Sequence, residues 1–363
     1  MSDSTILTYT EIDREAWSRL VQTSRTGTWF QSPEAYELFA SLPEMFTPFA
    51  FGVVGKPESD SGQIIEATLR GVCVGYVTKE KSRLRQFFTR RAIILGGPCL
   101  AEDATDGEVT ALLSTLNAQL STLNSQHSTL NTPIYIEIRN FNDYSRWRGA
   151  IEAAGFAYQP HLNFHVDCTD KQKMWERLSD NRKRQIRKGD TPPAPLSEGR
   201  ERVSEQDVRE WYGILQELYR TKVKTPLLPV EFFVQAYKQG VGHFLLIRHE
   251  GKIIGGSMVV KSSDAVYEWY ECGMNAAYKD QYPSVMATWA GMQYAHEQGC
   301  ARYDMMGAGV QGVPYGVRDF KSEFGGTLVE HGRWLYVAKP WLYAIGKAGV
   351  EMLKNKIINL IRL

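Results

Sequence analysis

The sequence predicts a mixed α/β protein built from two tandem units of similar order, and three observations carry that prediction. Strand-like and helix-like segments alternate along all 363 residues. Each half contains a strand meander followed by helix, strand, helical turn, a Gly/Phe junction and a further strand. The distance from Arg139 to Gly155 is 16 residues, and that from Ala308 to Gly325 is 17. A chain of this length supports two cores of ordinary domain size.

The first half opens with a helix around Trp17–Val21. Strands are expected near Phe49–Val54, Ile64–Leu69, Val72–Thr78 and Ala92–Leu95. In "STLNAQLSTLNSQHSTLNT" a seven-residue unit nearly repeats, placing Leu113, Leu116, Leu120, Leu123 and Leu130 on one stripe that Pro133 ends. This reads as an amphipathic helix packed on a sheet, with a short coiled coil as the alternative. "IYIEIR", Ile134–Arg139, alternates as a half-buried strand. A helix over Trp147–Ala154 and the strand "LNFHVD" follow.

In the second half, "HFLLIRHEGKIIGGSMVVKSSDAVYEWYECG" reads as three antiparallel strands turning at His249–Lys252 and Ser262–Asp264. The next helix has Ser284 as its expected N-cap, Val285, Trp289 and Met292 as its apolar face, and Gly299 past its end. "ARYDMMGA" is a strand, and "TLVEHGRWLYVAKP" closes the domain. The expected divisions are residues 1–168, residues 169–338 and a basic amphipathic C-terminal helix over 339–363.

Apolar residues make up 43% and charged residues 23%, as in globular proteins, and the net charge is +1. Attraction to phosphate must therefore be local. Cys73, Cys99, Cys168, Cys272 and Cys300 are scattered, which argues against a disulfide framework or zinc site and fits a reducing compartment. The N-terminus lacks a basic-then-apolar signal, and no run of about 18 apolar residues occurs. A cytoplasmic location is expected.

The common phosphate-loop, dinucleotide, zinc-protease and serine-hydrolase signatures are missing. "GGS" at Gly255–Ser257 lies within a strand and marks a bulge or close approach. His161 and His165, four apart on a strand, would stand about 13 Å apart, too far to share a metal. In the basic run Arg182–Lys188, the residues Arg184, Arg187 and Lys188 form one edge around Ile186. It is either a solvated face or a phosphate-binding edge. Lys339, Lys347, Lys354, Lys356 and Arg362 oppose Glu351 alone, which suits a docked helix or contact with an anionic membrane surface. Alternation sends Tyr267 and Trp269 to one face of their strand and Tyr270 to the other. In "YGVRDFKSEFGG", Phe320 and Phe324 share a helical face, which puts Lys321 beside an apolar wall, at its rim.

"RKRQIRKG", "YEWYECG", "PSVMATWAGMQYAHEQGCARYDMMGAG" and "YGVRDFKSEFGG" together resemble the Fem family, tRNA-dependent aminoacyltransferases of peptidoglycan peptide synthesis. The resemblance covers most of the chain, is strongest from Arg182 to Tyr343, and includes "WFQSPEAYELF" and "GGP" weakly in the first half. It implies two tandem GNAT-like acyltransferase domains, with no coiled-coil arm because only Val223–Pro229 separate two helices here. It implies that Lys321 and Phe320 are catalytic, the lysine stabilising the oxyanion formed when an amine attacks an aminoacyl ester. Arg184, Arg187, Lys188, Tyr219, Arg220, Tyr270, Asp304 and Tyr315 are the expected substrate contacts. Asp304, Glu271 or the substrate itself would take the amine's proton.

The implied partners are the acceptor end of an aminoacyl-tRNA and a peptidoglycan precursor, nucleotide- or lipid-linked. Peripheral membrane contact through the C-terminal helix is included, no DNA partner is expected, and no cofactor is required. CoA is the alternative acyl donor, for acylation of an envelope polysaccharide or lipid. A non-catalytic envelope-precursor-binding module is the third reading. Two departures bear on substrates. Phe39 stands where some members carry a substrate-contacting lysine, and "KDQYPS" lacks the glycines that cradle a pyrophosphate.

Overall fold

The computed structural model describes residues 4–55, 68–79, 89–122, 132–189, 203–223 and 226–348. The chain divides into two compact units, Met1–Gln159 with His331–Leu363, and Pro160–Glu330.

In the first unit, β1 (Thr5–Thr8), β2 (Phe46–Val54), β3 (Leu69–Thr78), β4 (Arg91–Gly96), β5 (Cys99–Leu100), β6 (Tyr135–Asn140), β7 (Ala157–Gln159) and the chain's last described strand, β14 (Arg333–Val337), form one sheet. Its order is β1-β2-β3-β4-β6-β14-β7, with β5 beside β3. The two strands expected on either side of Arg70 are one continuous β3 over the described part, and residues 64–67 lie outside the described residues. Helix α1 (Arg14–Thr23) starts where the Asp13 carboxylate accepts the Ala16 N–H at 2.8 Å, and buries Trp17, Leu20 and Val21. Helix α2 (Pro33–Ala40) has Ser32 as N-cap and proline in its first turn. The leucine stripe belongs to α3 (Asp106–Thr122), where Leu113, Leu116 and Leu120 pack into one core with Ile136 and Ile138. Leu123 and Leu130 lie outside the described residues. Helix α4 (Arg148–Ala153) covers the same face.

The "WFQS" and "GGP" stretches hold each other. Buried Gln31 donates to Gly97 O at 2.8 Å and accepts from Thr28 N at 2.7 Å. Gly97 has φ +85°, and a Cβ there would lie 2.6 Å from the Tyr144 ring.

The second unit contains β8 (Leu162–Asp167), α5 (Lys171–Arg177), α6 (Asp180–Lys188), α7 (Glu205–Leu218), α8 (Val230–Lys238), β9 (His243–His249), β10 (Lys252–Lys261), β11 (Ala265–Gly273), α9 (Pro283–Glu297), β12 (Arg302–Asp304), α10 (Gly316–Ser322) and β13 (Thr327–Glu330). Its sheet order is β13-β8-β12-β11-β10-β9. The turns expected between β9, β10 and β11 are present, and β10 is bulged between Ile253 and Gly255.

The two sheets exchange strands relative to the order read from sequence. "LNFHVD" is expected to end the first domain, but as β8 it pairs with β12 and β13. "RWLYV" is expected to close the second domain, but as β14 it pairs with β6 and β7. The divisions at 168 and 338 therefore move to 160 and 331. Either strand presents an alternating apolar face that either sheet could accept, so pairing partners decide the matter.

Helix α9 also differs from expectation. Its N-cap is Tyr282 in a left-handed conformation (φ 49°) with no side-chain cap, and Ser284 sits inside the first turn. The helix is buried nearly all round, with Val285, Trp289 and Met292 among many enclosed residues. A helix over 340–348 carries Lys347, whereas Lys354, Lys356, Arg362 and Glu351 lie outside the described residues. Among the described residues, no helix is long and apolar enough to cross a membrane.

Candidate active site

The parallel pairing of β11 with β12 ends after three residue pairs, Ala265↔Arg302, Val266↔Tyr303 and Tyr267↔Asp304. Beyond it β11 runs on to Gly273, while the other chain turns away through Met306 (φ 48°), Gly307 (φ 63°) and Gly309 (φ 75°). The strands splay, and the carbonyls after Asp304 have lost their neighbouring strand. Asp304 initiates the turn, its carboxylate accepting the Met306 N–H at 2.8 Å and Asn163 Nδ2 at 2.7 Å.

Lys321 fills this gap. Its ammonium donates to the carbonyls of Met305, Met306 and Gly307, the last at 2.9 Å. Only 8% of the residue is exposed. Lys321 therefore stands within the wall, not at its rim, and all three of its protons face carbonyls. Helix α10 is short and ends at Ser322, so Phe324 lies beyond it in the core with its ring 5.2 Å from that of Phe320. Arg182, also buried, stacks over both rings at 4.5 and 5.0 Å and donates to Phe320 O at 3.2 Å. That arginine, the first of a run read as either a solvated face or a phosphate-binding edge, is instead part of what positions Lys321.

Two further acids face the ammonium. A bulge at Trp269 lets Glu268 pair with Val259 and Tyr270 with Met258, so Glu268 and Glu271 project to the same side. The simple alternation expected for Tyr267, Trp269 and Tyr270 is broken there. Glu268 accepts from Thr288 Oγ1 at 2.9 Å and from the Tyr303 hydroxyl at 2.8 Å. Burial raises its pKa against the pull of Lys321. Burial, and then repulsion from Glu268, pushes Glu271 up to about 8. Its Oε1 is enclosed without a hydrogen-bond partner among the described residues. Burial lowers the Lys321 pKa, with Glu268, Asp304 and Glu271 opposing. Asp304 also suffers burial, but His165, Arg302 and Asn163 outweigh it and hold the carboxyl below its usual range.

Tyr270, opposite Met258, projects to the other face of the sheet from Glu268 and Glu271. The Tyr219 ring, in a π-helical turn over Tyr219–Val223, lies 6.4 Å from that of Tyr270. Tyr315 covers Gly309, where a Cβ would lie 2.9 Å from its ring. Arg220 turns instead to Glu217 at 2.7 Å on the exposed surface. Arg184, Arg187 and Lys188 lie on α6, where Arg184 bonds Asn181 and Arg187 stacks over Trp175 at 5.2 Å. The end of α6 abuts the first turn of α9, because a Cβ on Gly189 would meet Met286 Sδ at 2.8 Å. Glu268 is a site residue that the sequence reading missed. Its signal is two acids three residues apart in an otherwise apolar and aromatic strand.

Residues 176–322 match the family of GNAT acetyltransferase domains. This match falls within the second unit, which is similar over that range to a GNAT acetyltransferase domain. The whole chain has the tandem GNAT fold. It is similar to the crystal structure of FemX, at 13% identity and TM-score 0.63, covering 94% of this chain and 99% of that one. It is also similar to a tandem GNAT protein from the clavulanic acid biosynthesis pathway (11% identity, TM-score 0.53, 92% and 98% covered). A third likeness is to L-PGS from Bacillus licheniformis (13% identity, TM-score 0.51, 94% and 97% covered). No curated protein sequence matches.

Proposed function

We propose that this acyltransferase moves an aminoacyl group from charged tRNA to an amine of a peptidoglycan precursor. The supporting observation is the state of the α9 N-terminus. In ordinary acetyltransferases the N–H groups at this place cradle a CoA pyrophosphate. Here the Ser284 N–H is bonded to Asn275 Oδ1 at 3.2 Å, and Asn275 Nδ2 bonds Ser284 Oγ at 2.7 Å. The preceding turn carries Tyr282 instead of glycines. The α6 cations beside α9 suit the phosphates of an RNA end.

The acceptor nitrogen attacks the ester carbonyl carbon lying in the strand splay, and negative charge grows on the carbonyl oxygen. Lys321 favours that charge through its field and through its hold on Met305–Gly307. A direct bond to the oxyanion requires one of its carbonyl partners to yield. Glu271 is the fitting proton acceptor, being enclosed and under-bonded, whereas Asp304 is engaged by Asn163, His165 and the Met306 N–H. The tetrahedral intermediate then collapses, the carbonyl re-forms as the bond between the acyl carbon and the ribose oxygen breaks, and the proton taken up by Glu271 passes to that oxygen, releasing the ribose hydroxyl of the tRNA. Phe320 and Tyr315 shape the approach.

Lys321→Met should lower single-turnover acyl transfer by about a hundredfold, the usual effect of losing one oxyanion-stabilising donor, with the fold retained by circular dichroism. Calorimetric titration should give binding of a non-hydrolysable aminoacyl-adenosine analogue and none of CoA. Tight CoA binding reverses the donor assignment, and unchanged transfer in the Lys321 variant removes its role.

A further inference from the structure

Strand β8 lies alongside the turn that holds Lys321 and fastens it at both ends. Phe164 O accepts from the Met305 N–H at 3.0 Å, and Leu162 O accepts from the Ala308 N–H at 2.7 Å. Asn163 and His165 alternate with these residues and share one face of the strand. His165 stands directly opposite Asp304 on β12. Asn163 Nδ2 donates to Asp304 Oδ1 at 2.7 Å, and His165 Nε2 lies 3.1 Å from Oδ2. Just before the strand, His161 reaches the same turn, its Nε2 being 3.7 Å from where a Cβ on Gly307 would lie.

Between the two backbone bonds, Asp304 Oδ1 accepts the Met306 N–H at 2.8 Å. Met306 has φ 48°, a left-handed conformation that a methionine keeps only where its surroundings hold it. The carbonyls of Met305, Met306 and Gly307 then point together at Lys321 Nζ. The orientation of the Asp304 carboxylate therefore sets the orientation of the ammonium's three acceptors. Asp304 is wholly buried, and a carboxylate there keeps its charge and its direction through its partners. Its Oδ2 receives no well-directed hydrogen bond among the described residues, so His165 holds it by close electrostatic contact. Facing an anion, Nε2 carries the ring's proton.

We propose that His165 is a positioning residue for acyl transfer: through Asp304 and the Met306 N–H it sets the turn whose carbonyls hold the Lys321 ammonium. The inference rests on the oxyanion-stabilising role of Lys321.

Two substitutions separate geometry from polarity. In His165→Gln the side chain can place an N–H where Nε2 stands, whereas in His165→Asn it is one bond shorter and places it near Nδ1. In the full chain labelled with isotopic nitrogen at lysine, the enclosed Lys321 ammonium should give a slowly exchanging NMR signal, assigned by its loss in Lys321→Met. Below the melting temperature, that signal should shift or broaden in His165→Asn and stay in place in His165→Gln. Transfer is then followed from total aminoacylated tRNA to a nucleotide-linked peptidoglycan peptide. Its kcat should fall about tenfold in His165→Asn, the effect of one lost hydrogen bond to a charged group, with KM little changed. His165→Gln should restore it. In a Lys321→Met background, His165→Asn should add no further loss. An unmoved ammonium signal in His165→Asn, equal losses in the two His165 variants, or a full further tenfold loss on top of Lys321→Met overturns the proposal. Transfer unchanged in Lys321→Met overturns the lysine's own role, and the ammonium signal then still decides whether His165 sets its place.

Discussion

The two units place a parallel strand pair at the same point of their sheets and use it differently. In the first, β4 and β6 stay paired through six positions, from Arg91↔Tyr135 to Gly96↔Asn140. In the second, β11 and β12 part after three. A carboxylate occupies the third position of each pair, Glu137 opposite Ile93 and Asp304 opposite Tyr267. Glu137 is neutralised by arginines across an intact sheet, whereas Asp304 turns the chain out of the sheet and opens the gap that Lys321 spans. One architecture yields a closed sheet and an open site according to where strand pairing stops.

The exchanged strands give the largest expected effect. Trp334 on β14 is buried in the first unit's core. Trp334→Ala should cost about 3–5 kcal/mol, read by chemical denaturation. Hydrogen exchange should show amides of Tyr135–Asn140 losing protection while those of Val266–Cys272 keep it. Equal loss in both units would show that they unfold as one.

Glu271 sharpens the contrast at the next level. Its folded pKa is raised, so the native state holds a proton that the unfolded chain releases near the usual carboxyl value of 4.5. Stability from this group is full below about 4.5 and declines as pH rises toward about 8. Glu271→Gln should therefore raise the melting temperature at about pH 9 and change little at about pH 4. In acyl transfer, the wild-type rate should rise with an apparent pKa near 8, and that rise should vanish in the variant. Glu137, lowered to about 2, should give neither behaviour when replaced by glutamine.

The smallest effect belongs to the cations of α6. Arg187→Gln should weaken binding of an RNA acceptor-end mimic a few-fold and flatten its salt dependence by about one unit of slope, measured by fluorescence titration. An unchanged slope would return α6 to the status of a solvated face.

Much of this was legible in the residues. The alternation of "IYIEIR" and the leucine stripe of α3 each bury the side that their period marks. The phenylalanine pair flanking Lys321 pointed to the wall in which that ammonium stands. Other features were not legible for definite reasons. The bulge at Trp269 consists of one unpaired residue, and nothing in "YEWYECG" marks which residue that is. Arg182 looks like its basic neighbours until Phe320, 138 positions further along the chain, arrives beside it with Phe324.

Local periodicity and residue chemistry thus determined the strands, the helices and the site's motif, because hydrophobic spacing and hydrogen-bonding capacity are properties of short segments. Which sheet receives β8 or β14, where β11 and β12 separate, and that three consecutive carbonyls capture the Lys321 ammonium were decided by the tertiary structure. Strand partners and buried charges take their energies from groups distant in the chain, and those distances close only on folding.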